Sequence, residues 1–300
     1  MPEISVVIPT YKNRGGLQNA IESVLCQDYV DYEIIVVDDN EANGEDRIAT
    51  ESVMSCYVNN HRIVYIKHEY NKNGAAARNT GIKVAQGRYI AFLDDDDFFL
   101  PSKLRLQLDY LLNNPQYDAV YCFAMKNNKC INTVPYKGDV SMHLLLLESN
   151  MFTPTLFFKK EALVMIGGFD ENFCRHQDYE LLLRFFEHGY KIGCVEKYLT
   201  IIGENKGENR PCGENLEILK AYFFSKFKFY IDIYEKKERG FANKVYARHY
   251  ASVCLSHIKH HYYKMAIMIL KKYFPLAPKT FMAVVINSLR VHLVYYFSRK

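Results

Sequence analysis

Four consecutive aspartates at positions 94–97 directly follow an apolar run at 89–93. Aromatic and β-branched residues in a run of this length predict a buried strand. Adjacent carboxylates repel one another, so their placement at a strand end is unfavourable unless they bind something. Hard divalent cations such as Mg²⁺ or Mn²⁺ bind carboxylate and phosphate oxygens together. We therefore expect a metal and phosphate site here; the alternative is a solvated turn before a helix that starts near Pro101.

A cation occurs where a phosphate group would also be favoured. Arg78 lies one turn into a predicted helix whose amino end holds Asn73 and Gly74. Free backbone N–H groups and a guanidinium together favour a diphosphate at such a position. The alternative for Arg78 is a surface salt bridge.

The segments that must position these residues alternate between strand and helix patterns. Alternation at these lengths predicts right-handed crossovers and a mostly parallel central sheet with flanking helices, which is an α/β fold. Ligands bind beyond the carboxyl ends of the strands in such sheets. The predicted strands are 4–9, 33–37, 63–66 and 89–93, and the predicted helices are 17–27, 46–58 and 73–86.

The remainder of the chain is less regular and becomes helical towards its end. From 215 onwards the pattern indicates three or four helical segments, broken near Gly240 and at Pro275 and Pro278. Before that point the patterns predict a helix at 101–114, a strand at 119–123 with a hairpin partner at 129–134, helical residues at 140–148, a strand at 155–158, a helical turn at 159–165, a helix at 177–188 and a loop at 203–214.

Composition excludes several classes of protein. An apolar content of 49% is typical of a globular chain with a core. Eight scattered cysteines without a CxxC pair favour reduced thiols in a cytoplasmic protein over a zinc site or a disulfide framework. The first strand begins at Ile4, so we expect no signal peptide. The apolar run 281–297 is interrupted by polar residues, so we expect no membrane span.

The net charge of +4 conceals a strong asymmetry. Residues 215–300 carry 16 Lys or Arg and 4 Asp or Glu, whereas residues 1–214 carry 22 and 30. Residues 215–300 therefore have a net charge of +12, and residues 1–214 have a net charge of −8. This break predicts a domain boundary near 214.

Several short motifs follow one another along the chain. They are SVVIPTY at 5–11, EIIVVDD at 33–39, NGAAARNTG at 73–81, FLDDDD at 92–97, and GGFD at 167–170 with QDYE at 177–180. Their order resembles that of the family 2 glycosyltransferases, over about residues 1–205. The resemblance implies a GT-A fold, the nucleotide-diphospho-sugar transferase fold, with a nucleotide-sugar half at about 1–100 and an acceptor half at about 101–214. The basic helical region 215–300 would be an appendage.

The resemblance also implies which residues bind the donor. Asp39 would accept a hydrogen bond from the uracil ring of a UDP-sugar, because a carboxylate can accept from a ring N–H. In the acidic tetrad, Asp96 would bind Mn²⁺ or Mg²⁺ directly and Asp94 would face the ribose or a metal-bound water. The full set of implied nucleotide-sugar contacts is Pro9, Thr10, Tyr11, Asp39, Asn73, Arg78, Asp94 and Asp95.

On the acceptor side, the resemblance implies that Asp178 is the general base of an inverting transfer. Such a base takes the proton of the acceptor hydroxyl while that hydroxyl attacks the anomeric carbon. Asp178 also opens a predicted helix, so a purely structural capping role is the alternative. Gln177 stands where the family often has Glu, and Glu180 is a weaker candidate for the base. His176 is a possible acceptor or diphosphate contact, although a lone histidine is often structural.

The basic C-terminal region interleaves Lys and Arg with aromatic and aliphatic residues, as at 226–230. Basic amphipathic helices can lie on anionic membranes. The alternative is a helical cap that packs on the catalytic domain and has a solvated basic face. No motif supports a nucleic-acid partner.

Together these patterns predict a cytoplasmic, metal-dependent, inverting glycosyltransferase that moves a sugar from a UDP-sugar to a saccharide acceptor. We expect a lipid-linked acceptor of lipopolysaccharide, capsule or another cell-surface glycan. A processive synthase is not expected, since its Gln-x-x-Arg-Trp motif needs tryptophan and the chain has none. The alternatives are a non-catalytic nucleotide-sugar-binding partner subunit and a sugar nucleotidyltransferase that releases pyrophosphate.

Overall fold

The computed structural model of the chain describes residues 1–12, 15–127, 129–131, 134–149, 151–173, 176–203 and 212–297, with side chains described up to Leu289. The chain divides into two compact units. One unit comprises Met1–Ser141 with Ser149–Lys206, and the other comprises Met142–Glu148 with Gly207–Lys300.

The described strands form one mixed sheet in the first unit. They are β1 (Ile4–Thr10), β2 (Tyr32–Asp38), β3 (Ile63–Lys67), β4 (Tyr89–Phe92), β5 (Phe98–Phe99), β6 (Ala119–Lys126), β7 (Lys129–Ile131), β8 (Leu156–Lys159) and β9 (Ile192–Ile202). Their order is β3-β2-β1-β4-β8-β6-β9-β5, with β7 paired to β6.

Helices of the first unit connect and flank these strands. They are α1 (Leu17–Leu25), α2 (Glu45–Ser55), α3 (Gly74–Val84), α4 (Lys103–Asn113), α5 (Ser141–Leu145), α6 (Lys160–Met165) and α7 (Gln177–Glu187), and a 3₁₀ turn spans Thr153–Thr155. Only the first residue of α5 belongs to this unit.

The sheet order fixes where a ligand can bind. The strands β2 and β3 lie on one side of β1, and β4 pairs with the other side of β1 in parallel. The chain therefore reverses its direction of travel across the sheet between β1 and β4. In open α/β sheets, ligands bind in the crevice beyond the carboxyl ends of strands at such a reversal. Thr10 ends β1 and Asp94 follows β4, so both lie at this crevice.

Three of the parallel strands, β1, β2 and β4, are buried on both faces, whereas β3 at the edge of the sheet is only partly buried. Every residue of β2 and β4 is buried, as are all but one of β1. Helices on both sides of a parallel sheet explain why these strands have continuous apolar runs instead of alternating ones. The prediction of parallel pairing holds for β3, β2, β1 and β4, whereas β4–β8, β8–β6, β6–β7 and β9–β5 are antiparallel.

The longest strand, β9, was not predicted from the sequence. It pairs in parallel with β6, with a register shift after Cys122, which faces Val195. Phe123 faces Tyr198, so Glu196 and Lys197 have no pairing residue on β6 and are exposed in a bulge. The two charged residues interrupt the apolar pattern, which explains why the strand was missed.

The second unit is helical. It contains α8 (Gly213–Lys237), α9 (Phe241–Lys259), α10 (Tyr263–Tyr273) and α11 (Pro278–Phe297), with a 3₁₀ turn at Phe274–Leu276. The predicted helical pattern and its breaks near Gly240, Pro275 and Pro278 are confirmed. Helices α8, α10 and α11 all pack on α9. Across the described ranges, no helix has both the length and the apolar character that a bilayer crossing requires.

Candidate active site

The acidic turn after β4 is tied to the end of the neighbouring strand β1. Oγ1 of Thr10 donates a hydrogen bond of 2.6 Å to Oδ2 of Asp95, and the backbone N–H of Tyr11 also donates to this carboxylate. Two residues that the sequence assigned to nucleotide binding, Thr10 and Asp95, therefore lie in contact at the crevice. Pro9 immediately precedes Thr10 in β1, and Tyr11 is 37% exposed at the same strand end.

Two glycines approach the backbone of this turn closely. A Cβ atom on Gly16 would lie 2.3 Å from the carbonyl oxygen of Asp95, and one on Gly203 would lie 2.0 Å from that of Asp96. Real Cβ atoms do not come this close to a backbone oxygen, so only glycine fits at either place. The start of α1 and the end of β9 therefore hold the acidic turn from two sides.

Three aspartates of the turn, Asp95, Asp96 and Asp97, have pKa values above that of an ordinary aspartate. Burial raises the pKa of Asp95 to about 6, and the charges of Asp96 and Asp94 add to the effect against the hydrogen bonds from Thr10 and Tyr11. Burial, followed by the charge of Asp94, also raises the pKa of Asp96 and of Asp97. Crowded, partly desolvated carboxylates of this kind favour a bound cation.

Asp96 is the aspartate of the tetrad with the most freedom to bind a cation. Asp94 pairs with Arg78, Asp95 accepts from Thr10, and Asp97 accepts a 2.7 Å hydrogen bond from the N–H of Gly203. Among the described residues, Asp96 has no such bond to another residue.

No group of three or more His, Cys, Asp or Glu within the described ranges is arranged to hold a metal by itself. Mg²⁺ is commonly held by one or two carboxylates plus substrate phosphates and water. The turn therefore fits a cation that the protein and a diphosphate hold together.

Arg78 links the acidic turn to the amino end of α7. Its Nη2 donates to Oδ1 of Asp94, and its Nη1 donates to Oε1 of Gln177 at 2.8 Å. The guanidinium also lies over the ring of Phe169, with 5.4 Å from Cζ to the ring centroid. The Nε atom is buried and has no hydrogen-bond acceptor among the described residues. Arg78 is therefore held in place by contacts to Asp94, Gln177 and Phe169, and its side chain is only 10% exposed.

Asp178 lies within electrostatic reach of the same residues. Burial raises the pKa of Asp178 to about 6, opposed by a hydrogen bond from the N–H of Tyr179 and by the charge of Arg78. The charge of Asp94 raises this pKa further. The hydrogen bond from Tyr179 to Oδ1 of Asp178 measures 2.9 Å. Asp94, from the FLDDDD motif, and Asp178, from the QDYE motif, therefore lie close enough for their charges to interact, and Arg78 interacts with both.

Asp39 is engaged by the protein itself. Its Oδ1 accepts from Nδ1 of His68 at 2.7 Å and from the N–H of Lys72 at 2.8 Å, and its Oδ2 accepts from Nδ2 of Asn71 and the N–H of Asn73, both at 2.9 Å. The carboxylate is 2% exposed. A carboxylate offers about four lone-pair sites, and all four are occupied. Asp39 therefore fixes the loop that leads into α3, and the predicted uracil contact stays a prediction.

The other predicted contacts occupy the ends of helices. Asn73 is the N-cap of α3, where its Oδ1 accepts from Ala75 and Ala76, and its Nδ2 donates to the backbone of Glu171. His176 is the N-cap of α7 with a left-handed backbone (φ 59°), and its ring lies edge-on to that of Tyr179. Both residues thus have structural roles at the crevice, and their predicted ligand contacts remain untested.

Several residues of this site were not found from the sequence. Gln177 was noted only as a departure from the family pattern, yet it accepts from Arg78. Phe169 was noted only as part of the GGFD motif, and the sequence did not assign Gly16 or Gly203 to the site, because their roles depend on contacts across the fold. The order of the motifs was the available signal that these segments converge.

Comparison with known proteins gives relatives over most of the chain. The putative colanic acid biosynthesis glycosyl transferase WcaA of Escherichia coli K12 is 29% identical over 260 residues, which cover 82% of this chain and 85% of that protein. A UDP-Glc:alpha-D-GlcNAc-diphosphoundecaprenol beta-1,3-glucosyltransferase, WfgD of Escherichia coli, is 29% identical over 181 residues, covering 60% of this chain and 68% of that protein.

A solved structure supports the fold. The crystal structure of S. aureus TarS 1-349 in complex with UDP-GlcNAc matches with a TM-score of 0.67 and 18% identity, covering 99% of this chain and 87% of that chain. This likeness confirms the predicted fold class. The model of the family described as glycosyl transferase family 2 matches residues 5–180, more than half of the chain. The chain therefore belongs to glycosyl transferase family 2.

Proposed function

We propose that the protein transfers a sugar from a UDP-sugar to a hydroxyl of a saccharide acceptor, with inversion at the anomeric carbon. The observation that carries this proposal is the position of Arg78, which bonds to Asp94 of the acidic turn and to Gln177, the residue before Asp178. An inverting transfer needs a charge-stabilised diphosphate on one side of the sugar and a base on the other. Arg78 would stabilise the diphosphate, and Asp178 would serve as the base.

The donor side is built from groups that favour a nucleotide diphosphate. Arg78 would contribute a positive charge and hydrogen-bond donors to the diphosphate oxygens, and the amino end of α3 lies one turn away. Thr10 and Asp95, which are hydrogen-bonded to each other, lie in the same crevice. Asp94 would then face the ribose or a metal-bound water. That TarS was crystallised with UDP-GlcNAc and that WfgD is named for UDP-Glc supports a UDP-linked donor for this chain.

Asp96 would bind Mn²⁺ or Mg²⁺ together with the diphosphate. A divalent cation supplies positive charge that stabilises the departing UDP. The carboxylate of Asp96 suits this role because it is partly desolvated and keeps its oxygens free of other described residues. Asp97, which is buried and bonded to Gly203, would maintain the shape of the turn.

Asp178 would accept the proton of the acceptor hydroxyl. Its raised pKa, about 6, makes it a stronger base than an ordinary aspartate while leaving it mostly ionised near pH 7. The N–H of Tyr179 orients the carboxylate, and Arg78 favours its ionised form. As the acceptor oxygen bonds to the anomeric carbon, its proton moves to Asp178 and UDP leaves from the opposite face.

The acceptor is proposed to be a saccharide carried on a polyprenyl diphosphate, in the synthesis of a cell-surface glycan. The name of WfgD specifies a diphosphoundecaprenol-linked GlcNAc acceptor, and that of WcaA specifies colanic acid biosynthesis. Both relatives are 29% identical to this chain, which supports the class of acceptor and leaves the individual sugar open.

The test is a panel of UDP-, GDP- and dTDP-sugars, each with and without Mn²⁺, offered with a lipid extract as the acceptor source. Thermal shift measures binding, UDP release and label in the lipid fraction measure transfer, and NMR of the product gives the anomeric configuration. A ligand present at about 100 times its Kd adds about 2.7 kcal/mol to the free energy of unfolding. Asp96→Asn should abolish the Mn²⁺-dependent shift, and Asp109→Asn, a change of an exposed aspartate on α4, should not.

Each rival function gives a different result in this panel. Release of pyrophosphate would identify a nucleotidyltransferase. Binding of UDP-sugars without transfer to any acceptor, unchanged by Asp178→Asn, would identify a non-catalytic binding subunit. A product that retains the donor's anomeric configuration would overturn the inverting mechanism.

A further inference from the structure

The solvent-facing side of α10 is apolar and basic, where a solvated helix is normally polar. Ala266 and Ile269 face the interior of the helical unit. On the opposite side, at spacings of three and four residues, lie Lys264, Ile267, Met268 and Lys271, which we call the α10 face. Ile267 is 52% exposed and Met268 is 70% exposed. Large apolar side chains on the outer side of an amphipathic helix indicate a surface that is covered in use.

The next helix repeats the arrangement. Phe281 is buried, and the opposite side of α11 presents Lys279, Met282 and Ile286, which we call the α11 face. These residues again follow helical spacing, with a lysine one turn before the first apolar side chain. Both helices pack on α9, so each face belongs to a supported helix and not to an isolated one.

The charge of this region identifies the kind of partner. Residues 239–300 contain 11 Lys or Arg and no Asp or Glu. A second copy of the same surface would bring like charges together, which disfavours self-association through these faces. Nucleic acid would match the positive charge, but its phosphate backbone would not bury the exposed Met and Ile side chains. An anionic lipid bilayer matches both features, since its headgroups attract lysine and its acyl boundary accepts apolar side chains.

We propose that the α10 and α11 faces dock the protein on the surface of an anionic membrane. Ile267, Met268, Met282 and Ile286 enter the headgroup–acyl boundary, and Lys264, Lys271 and Lys279 extend to the lipid phosphates. Docking of this kind is peripheral and reversible. It extends the proposed function, because an acceptor on a polyprenyl carrier is confined to such a surface, but vesicle binding itself needs no sugar transfer.

The experiment is co-sedimentation of the full chain with vesicles of phosphatidylcholine alone or mixed with phosphatidylglycerol, at low and high salt. The wild type should bind the anionic vesicles, bind the neutral ones much less, and dissociate as salt screens the charges. Lys264→Gln with Lys271→Gln should lower partitioning roughly 25-fold, since each basic residue at the surface contributes about fivefold. Met268→Ser and Met282→Ser should each lower it about tenfold.

Matched controls carry the same changes elsewhere. Met165→Ser alters a methionine that is 67% exposed on α6, and Lys129→Gln alters an exposed lysine on β7. Both should bind vesicles as the wild type does. Equal binding to neutral and anionic vesicles, or an equal loss in the control and face variants, would overturn the proposal. So would a wild type that ignores vesicles and forms oligomers that Met268→Ser disperses, because a second copy would then cover the face.

The vesicle result and the transfer result can fail separately. A protein that transfers sugar to a water-soluble acceptor but ignores anionic vesicles would keep the proposed function and lose the membrane proposal. A protein that binds vesicles through these faces but never releases UDP would do the reverse.

Discussion

The guanidinium of Arg78 on α3 forms an ion pair with the carboxylate of Asp94 just after β4, with 2.5 Å between Nη2 and Oδ1. The Arg78 side chain is 10% exposed and that of Asp94 is 35% exposed. The pair therefore lies at the boundary between protein and solvent, where an incoming diphosphate can share the guanidinium. Because Arg78 also bonds to Gln177, 99 residues away in sequence, it joins the acidic turn to the amino end of α7.

We predict that Arg78→Lys weakens UDP binding about 10- to 100-fold. A lysine cannot form the forked contacts to Asp94 and Gln177 while also facing a phosphate, and a hydrogen bond to a charged group contributes about 1.5–3 kcal/mol. Isothermal titration with UDP and Mn²⁺ measures the change. Arg88→Lys is the matched control, since Arg88 is 75% exposed and makes a 3.4 Å pair with Glu3. If both variants bind UDP as the wild type does, Arg78 has no part in donor binding.

Asp178→Asn should lower the transfer rate about 10²- to 10⁴-fold while leaving UDP binding intact. It should also make the folded protein more stable above pH 6. The raised pKa of Asp178 means that its charge opposes folding at neutral pH, by up to about 3 kcal/mol before discounting for its partial exposure.

The sign of this effect separates a catalytic role from a capping role. The stability gain should shrink between pH 6 and pH 4 and vanish below pH 4, where the carboxyl is protonated in both the folded and the unfolded state. Urea unfolding at pH 7.5 and pH 4 measures it, with Asp109→Asn expected to stay within about 0.5 kcal/mol of the wild type. A loss of stability at pH 7.5 in Asp178→Asn would instead indicate that this carboxylate stabilises the first turn of α7, whose N-cap is His176.

The rate of transfer should depend on pH through the same group. Since a general base must be ionised, kcat/KM should fall tenfold per pH unit below about pH 6 and be level above it. Saturating Mn²⁺ would keep the acids of the proposed cation site at 94–97 ionised, so the remaining decline reports Asp178. The residual activity of Asp178→Asn should lack this decline. A wild-type profile that is level down to pH 5, with the fold intact by circular dichroism, would exclude Asp178 as the base.

Asp39→Asn should destabilise the fold by about 2–5 kcal/mol. An amide presents one acceptor oxygen and one N–H₂ group, so about two of the four donors around Asp39 would lose their partner at roughly 1–3 kcal/mol each. Urea unfolding measures the loss, and Asp28→Asn, an exposed aspartate paired with Arg105, should cost less than about 1 kcal/mol. A stable Asp39→Asn variant that no longer binds UDP would instead assign Asp39 to the uracil contact alone.

Much of the donor half could be predicted from local sequence. Each of the strands β1 to β4 is rich in apolar residues, and α1 has apolar residues at helical spacing. These signals are local, so one sequence suffices to read them. The acidic tetrad at 94–97 and Arg78 were recognisable because their residue types are unusual at a strand end and at a helix start.

What the sequence could not give depends on contacts between distant segments. The role of Asp39 as the acceptor for a whole loop requires that residues 71–73 fold back onto it. The pairing of Arg78 with Gln177 depends on where α7 begins in space. Likewise, β9 is a strand because it lies beside β6, and its bulge at Glu196 hides the pattern. Long-range pairing overrides local preference in each case.

Gly203→Ala should weaken Mn²⁺-dependent UDP binding by displacing the acidic turn, although residue 203 need not contact the ligand itself. The added methyl group would lie 2.0 Å from the backbone oxygen of Asp96, so either the turn or the end of β9 must move. A displacement of about 1 Å in a group that binds a cation is enough to lower Mn²⁺-dependent UDP binding at least tenfold. Gly44→Ala is the control, because φ there is −75° and its Cβ would lie 3.3 Å from the oxygen of Glu41. Titration of both variants with UDP and Mn²⁺ measures their affinities. Equal affinity in Gly203→Ala and Gly44→Ala would show that the position of Asp96 does not govern donor binding.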